Sequence, residues 1–533
     1  MSKLVTASFA LSALLSGEFS PAQDPGSSAA RQALILEAEN AERDRVETIE
    51  KLLESLEIPG RVLDPLLVKR EVVFLVGRPL IELKIQELIM EEWMERMIQD
   101  EGKKPEDFAV SDEAIESEVR ENLSGFALNY PELDFWQVVR AQTGISKEQY
   151  LQQRRASLMF EKVFTPGAPS NWPAITEEAI KSSSGQTGAG ANFWDSLVKE
   201  VPPDAADRTA GNNFQDQMLM QMLIRQLKEW SDIKYPSDGL PSSVALRVGG
   251  RDWLTEDAFN SVKSGMFLQD LETAIGEILI QEVLKQELIA EGSYLTDEEF
   301  GASYAEFHAR YEGSLFSPEF VALQLMGFPS LEVFRGRHRL LKSFEGLIDR
   351  DYNDEILQAH ADKYARFFGD GRVDVDLITF QGKDYRSGVW LPNGMETARE
   401  RATECYESIL KGERTFQQAL DTMGEYFPAD AVRGRITDKT MNELRRTLFE
   451  SEYTDLQAGF SLGRFIFYDA EVGKVIGPIK GTSAWYVLRV SAKSPSKSAT
   501  TVTDVSIREL IAQDYLNHRF LEWGRDVLKK RLK

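Results

Sequence analysis

Imidazole is the side chain best suited to move protons near neutral pH, and this 533-residue sequence holds only four: His308, His338, His360 and His518. No His-x-x-x-His pair and no His set among carboxylates gives metal-ligand spacing. His308 and His338 lie singly in helix-patterned stretches rich in Arg and Glu, the setting of surface residues. The one thiol, Cys405 in RATECYESIL, reads as a small buried hydrophobe rather than a nucleophile. Acidic runs such as Asp297-Glu298-Glu299 fall at helix starts, where the macrodipole accounts for them. No G-x-S-x-G and no close Ser/His pair marks a hydrolase. Gly185, Gly188 and Gly190 lack the Lys-Ser/Thr of a phosphate loop. Two apolar sets remain. Met218, Met220 and Met222 in FQDQMLMQMLIRQL suit either a helix core or an adaptable client-binding surface. Phe465, Phe467, Trp485 and Tyr486 suit either a strand core or a peptide groove.

Composition narrows the classes these residues can serve. With 62 Lys+Arg against 86 Asp+Glu the formal net charge is −24, so nucleic-acid phosphates are repelled and no nucleic-acid partner is expected. A hydrophobic share of 42% and a charged share of 28% fit a soluble globular chain of three or four folding units. A single Cys excludes an intramolecular disulfide framework and a Cys-rich zinc module. The start reads as an export signal: Lys3, an apolar run from Leu4 to Leu15, then Ser20-Pro21-Ala22 before Gln23, with cleavage expected after Ala22. No other stretch reaches the roughly 18 apolar residues of a membrane span, so stable membrane insertion is not expected.

The elements that would position a site alternate as helical blocks and breaks. Residues 32–66 form a charged helical lead-in closed by Pro59-Gly60. Capping signals follow at Ser111, at Ser146 with Gln149, and at Thr296 with Glu299. Between 167 and 213 Pro, Ser, Gly and Asn accumulate as a linker, broken by a short helix near Phe193–Lys199. Flanking it are two similar stretches. IELKIQELIMEEWMERMIQDEG (81–102) aligns without gaps on LETAIGEILIQEVLKQELIAEG (271–292) at an offset of 190, with six identities in 22. Two further blocks match in the same order, ending at Phe160-Glu161 and Phe344-Glu345. The second copy opens on Val244, Leu246 and Val248 alternating as a strand, a Gly249-Gly250 turn and a Leu254-Thr255-Glu256 helix start.

That order of strand, Gly turn, Thr-Glu start, long helix ending in EG and TDEE-capped helix resembles the N-terminal chaperone domain of SurA-type exported foldases, over 241–350 and more faintly over 67–165. Farther on, DGRVDVDLITF, the KG-x-x-x-F-x-x-A-L pattern from Lys411 to Leu420, and DAEVGKVIGPI before AWYVLRV resemble a parvulin-type peptidyl-prolyl isomerase domain. SIRELIAQDYLNHRFLEWGRDVLKKRLK resembles the closing helix that such chaperones pack onto the N-terminal module. The resemblance implies a mainly α protein with an α+β domain. Its parts are a signal at 1–22, repeats at 67–166 and 214–350, a parvulin-like domain at 351–495 and a C-terminal helix at 500–533. Active parvulins carry His in the first and last strands with Asp or Cys between. Here those positions fall on Asp376 and Tyr486, with Glu425 nearest the intermediate one. The candidate substrate-binding set, drawn from the two apolar sets above, is Phe465, Phe467, Trp485, Met218 and Met222.

The resemblance thus implies an ATP-independent periplasmic or secreted chaperone without cofactor or metal, whose partners are unfolded or nascent exported polypeptides. An active isomerase using Asp376 and Tyr486, or a structural envelope protein, are the alternatives. N-terminal sequencing of the exported protein should begin at Gln23; a mature chain that still starts at Met1 removes the export signal.

Overall fold

A computed structural model describes residues 28–54, 57–58, 61–129, 134–136, 139, 146–164, 228, 231–311, 318–348, 353–383, 391, 393–423, 434–441, 443–444, 462–481, 484–496, 502–503 and 505–531. The architecture is mainly helical with a small sheet-containing region. The export segment, the 167–213 stretch, Glu425, Met218 and Met222 lie outside the described residues. Two compact units share the chain: described residues within 1–37, 77–265 and 307–317 form the first, and those within 38–76, 266–306 and 318–533 form the second. These units cut across the boundaries expected at 67–166 and 214–350, because each unit takes segments from both sides of the linker.

In the first unit α3 (Arg78–Glu101), α4 (Asp112–Asn129) and α5 (Lys147–Phe164) pack with a three-stranded antiparallel sheet ordered β3 (Ile233–Lys234), β4 (Val244–Val248), β5 (Arg251–Leu254), and with α6 (Thr255–Val262). The caps form as their residues require. Ser111 Oγ accepts from Ala114 N at 3.2 Å, and Ser146 and Gln149 close a reciprocal box at 2.9 and 3.2 Å. The β4–β5 turn needs its glycines: Gly249 has φ +56°, and a Cβ there would strike the Glu92 carboxylate of α3. Beside it Arg251 ion-pairs with Glu95 and, at 3.8 Å, with Glu91. Phe126, Phe135, Trp136 and Tyr150 meet edge to face, with centroids 5.0–5.8 Å apart, in a small aromatic core.

The second unit is built around α7 (Leu268–Ala290). Against it pack α2 (Pro65–Val76), α9 (Leu331–Glu345) and α14 (Val505–Arg531). The core shared by α7, α9 and α14 holds Ile280, Leu284, Leu288, Phe344, Phe520 and Leu521. The charged lead-in helix α1 (Ser28–Glu54) buries Ile49 and Leu53, and its Arg45 guanidinium lies 4.8 Å over the Phe267 ring. It stops at Glu54, and the residues expected to continue the lead-in instead form a hairpin, β1 (Glu57–Ile58) with β2 (Arg61–Val62). Helix α8 (Asp297–Ala309) starts on the Thr296/Glu299 box, at 2.8 and 3.3 Å. Helix α10 (Asp354–Lys363) meets α14 through His360 and His518. His360 Nε2 lies 2.8 Å from Asp514 Oδ2, and Tyr364 Oη lies 3.1 Å from His518 Nε2. Half the histidines of the chain therefore pin its C-terminal helix, a pairing across 154 residues that no local motif announces.

One carboxyl in this unit is held neutral. Burial, then the Glu277 and Glu332 carboxylates, push Glu71 of α2 up to about 8 against the opposing pull of Arg70. Its Oε1 is buried with no hydrogen-bond partner among the described residues. Because the unfolded side chain ionises near its ordinary value while the folded one keeps its proton, this group lowers stability progressively from about pH 4.5 to about pH 8. Glu71→Gln should therefore raise the melting temperature relative to the parent at pH 7.5 and leave it unchanged at pH 4. An equal gain at both pH values would mean that ionisation plays no part.

Candidate functional site

The sheet of the second unit is antiparallel and ordered β7 (Arg435–Lys439), β6 (Arg372–Gln381), β9 (Ala484–Ser494), β8 (Val475–Lys480). Residues directly paired across an antiparallel ladder project to the same face, and alternation then sorts the strands. Asp376 pairs with Arg489, Phe380 with Trp485 and Thr379 with Tyr486. One face carries Ile378, Phe380, Trp485 and Val487 against α11 (Gly394–Leu410) and α12 (Phe416–Met423). The other carries Val375, Leu377, Tyr486 and Leu488 against Ile466 and Phe467 of α13 (Leu462–Tyr468).

Asp376 and Tyr486 therefore lie on opposite faces of the sheet and do not meet. Motif position alone lined them up; three ladder steps, an odd number, part them. Asp376 is a pin between three strands. It is 2% exposed, its Oδ1 accepts from Arg435 Nε at 3.0 Å, and its Oδ2 accepts from Arg489 Nη2 at 2.7 Å and Nε at 3.3 Å. Arg489 in turn stacks 4.6 Å over Phe416. With both oxygens engaged by guanidinium groups, this carboxylate is poorly placed to take a proton from a substrate.

Tyr486 shares its face with two polar residues that motif reasoning passed over. Thr379 stands directly opposite it, and Gln381 is one alternation farther along β6; all three are buried. Half-buried Ile476 and Ile479 of β8 and Phe465 of α13 pack beside them. Gly481 lets the Tyr486 ring lie against the turn, since any Cβ there would collide with it. This floor offers a hydroxyl, a carboxamide and a phenol, able to hydrogen-bond an amide but not to shuttle protons near neutral pH as imidazole does. Strand parity counted outward from Tyr486 would have found Thr379 and Gln381, but only with the register known.

Of the aromatic candidates, Phe467 is core. Trp485 faces the other way and joins domain to helix: its Nε1 donates to Gln269 Oε1 at 3.2 Å, while Gln269 Nε2 donates to Met395 O at 3.0 Å. Phe465 is half-buried and packs against both the sheet core and the α7 core. Cys405 is fully buried on α11, and burial pushes its thiol up to about 11, which removes the thiolate needed for nucleophilic attack. Among the described residues no group of His, Cys, Asp and Glu is placed to hold a metal ion, and no helix is long and apolar enough to cross a membrane.

No family model matches the sequence, and no curated protein matches it. Among solved structures the chain is similar to the peptidylprolyl isomerase PrsA from Bacillus anthracis, at 12% identity and TM-score 0.17 over 48% of this chain and 96% of that one. It is similar to PrsA from Bacillus cereus at 17% identity and TM-score 0.18, over 52% and 88% of the two chains. A third is the foldase protein PrsA from Streptococcus pneumoniae, at 16% identity and TM-score 0.17, over 55% and 94%.

Asp376→Ala strips both guanidinium groups of their buried partner. It should cost roughly 2–3 kcal/mol of stability in denaturant unfolding, at the low end for buried pairs because Arg435 and Arg489 both reach solvent. A variant as stable as the parent would show that the pin holds nothing.

Proposed function

We propose that this chain is an exported, nucleotide-independent chaperone of unfolded or partly folded exported polypeptides, with a parvulin-like domain that binds prolyl segments and isomerises them weakly or not at all. The observation that carries this reading is the polar floor of Thr379, Gln381 and Tyr486 on the face of the β6–β9 ladder covered by α13. It includes Tyr486, one of the two positions where the resemblance puts an imidazole, while Asp376, the other, lies on the opposite face; the floor contains no group that changes charge near neutral pH. The succession of strand, helices, strand, helix and two strands from Arg372 to Ser494 supports the same assignment. So does the fusion of that domain to the long helix α7 through Gln269, Asp270 and Glu272, which accept from Trp485, Lys480 and Arg399 at 3.2, 2.9 and 2.7 Å.

Rotation about a prolyl bond faces a barrier of about 18–20 kcal/mol and is helped by desolvating and holding the amide, with no proton transfer required. A hydrogen-bonding floor in an apolar setting can thus bind the group without a general base. The acidic surface, from a net charge of −24, keeps the protein in solution and disfavours acidic client segments.

The reading is tested by light scattering of an unfolded exported protein diluted from denaturant. Equimolar chain should suppress aggregation equally with and without ATP, and failure to suppress it removes the chaperone assignment. In a protease-coupled proline-peptide assay, Tyr486→Phe should lower any measured rate several-fold while Asp376→Asn leaves it within about twofold. Loss of activity confined to Asp376→Asn would instead restore that carboxylate as the working group.

A further inference from the structure

The offset of 190 that aligns 81–102 on 271–292 also aligns the hairpin and the short helix directly in front of each. Within β1–β2 the pairs are Glu57 with Val62 and Ile58 with Arg61; within β4–β5 the pairs Arg247 with Asp252 and Val248 with Arg251 stand at the same offset, step for step. Helices α2 and α6 begin at matching positions, Pro65 and Thr255. Their inward residues match as well: Val68 with Ala258 and Val72 with Val262, all buried. Each copy thus opens on the same device, a strand pair leading into a short helix and then the long one.

The units distribute these devices crosswise. The lead-in of the first copy, β1–β2–α2, belongs to the second unit, where α2 packs on α7 and α9, the core helices of the second copy. The lead-in of the second copy, β4–β5–α6, belongs to the first unit. There β4 packs on α3, Arg251 pairs with Glu91 and Glu95, and Gln149 Nε2 of α5 reaches Ser261 O of α6 at 3.4 Å. Of the five places where the chain passes from one unit to the other, the one between Val76 and Gly77 and the one between Gly265 and Met266 stand at positions that differ by one residue under the offset. The exchange is reciprocal and uses equivalent hinges, the pattern of an element swapped between two identical protomers.

We infer that the two copies are obligate folding partners, a swapped pair joined in one chain, in which each copy completes its core only with the lead-in of the other. The inference rests on the internal similarity of the sequence at an offset of 190 and not on chaperone activity, and its test reads neither isomerisation nor client binding.

Two truncations in the full chain give the sharpest test, read by native-state hydrogen exchange resolved by segment. Val72→Ala in α2 should speed exchange in α7 and α9 by roughly tenfold and leave α3 and α5 unchanged. Phe259→Ala in α6 should do the reverse, loosening α3 and α5 and sparing α7 and α9. The uncrossed pattern, each variant loosening its own copy, overturns the inference. Where a truncation unfolds the whole chain, a protease site inserted at Gly188 and cut after folding supplies the second measurement. The two pieces should then elute together at the mass of the intact chain and part only in denaturant. Pieces that separate in native buffer as two folded particles overturn the inference equally.

Discussion

Helix α7 is buried along most of its length, and a buried helix must find partners for every polar side chain it takes inside. Gln269 meets Trp485 and the Met395 carbonyl, which fixes the sheet domain to the start of the helix. Glu287 accepts from Arg531 Nη2 and Nε at 2.5 and 3.1 Å, and those bonds hold its carboxyl below the ordinary range and fix the end of the chain to the end of the helix. Glu277, midway, has the Glu71 carboxyl for a neighbour, and Glu71 keeps its proton first because it is buried and then because that carboxylate stands beside it. Three segments far apart in sequence are thus gathered by one helix whose polar residues cannot be left without them.

The sheet domain obeys a similar economy. The central stretches of β6 and β9 are covered on both faces and are largely apolar, and the polar residues inside them lie on different faces. Asp376 on the α11–α12 face neutralises two guanidinium groups and ties β7, β6 and β9 together. Thr379, Gln381 and Tyr486 on the α13 face have no carboxylate among them. The charged side chains inside thus tie strands together on one face, and the polar side chains on the other face are neutral.

The histidines show how far local chemistry misleads when partners are remote. In sequence His360 and His518 are two unrelated imidazoles. In the fold they stand with ring centroids 5.7 Å apart, beside Asp514 and Tyr364, as a buried polar clasp between α10 and α14. His338 sits among Phe300, Tyr304 and Phe334 rather than on an open surface, 3.3 Å from Ser303 Oγ. None is placed on the β6–β9 sheet.

By itself the sequence determined the local facts: the helix caps at Ser111, Ser146 and Thr296, the Gly249-Gly250 turn, the strand alternation from Val373, the long helices and the burial of Cys405. Each of these depends on interactions within a few residues or on a hydrophobic period, which the order of side chains specifies directly. Only the tertiary structure decided which face of the sheet Asp376 and Tyr486 occupy, because a register is a relation between strands more than a hundred residues apart and one step reverses the face. It alone gave the first copy its hairpin, since Glu57–Val62 has no alternating pattern to announce a strand. It alone assigned each lead-in to a unit. Similar helical patterns offer similar apolar faces, so hydrophobic pattern does not distinguish packing α2 on the long helix that follows it from packing it on α7, where the structure puts it.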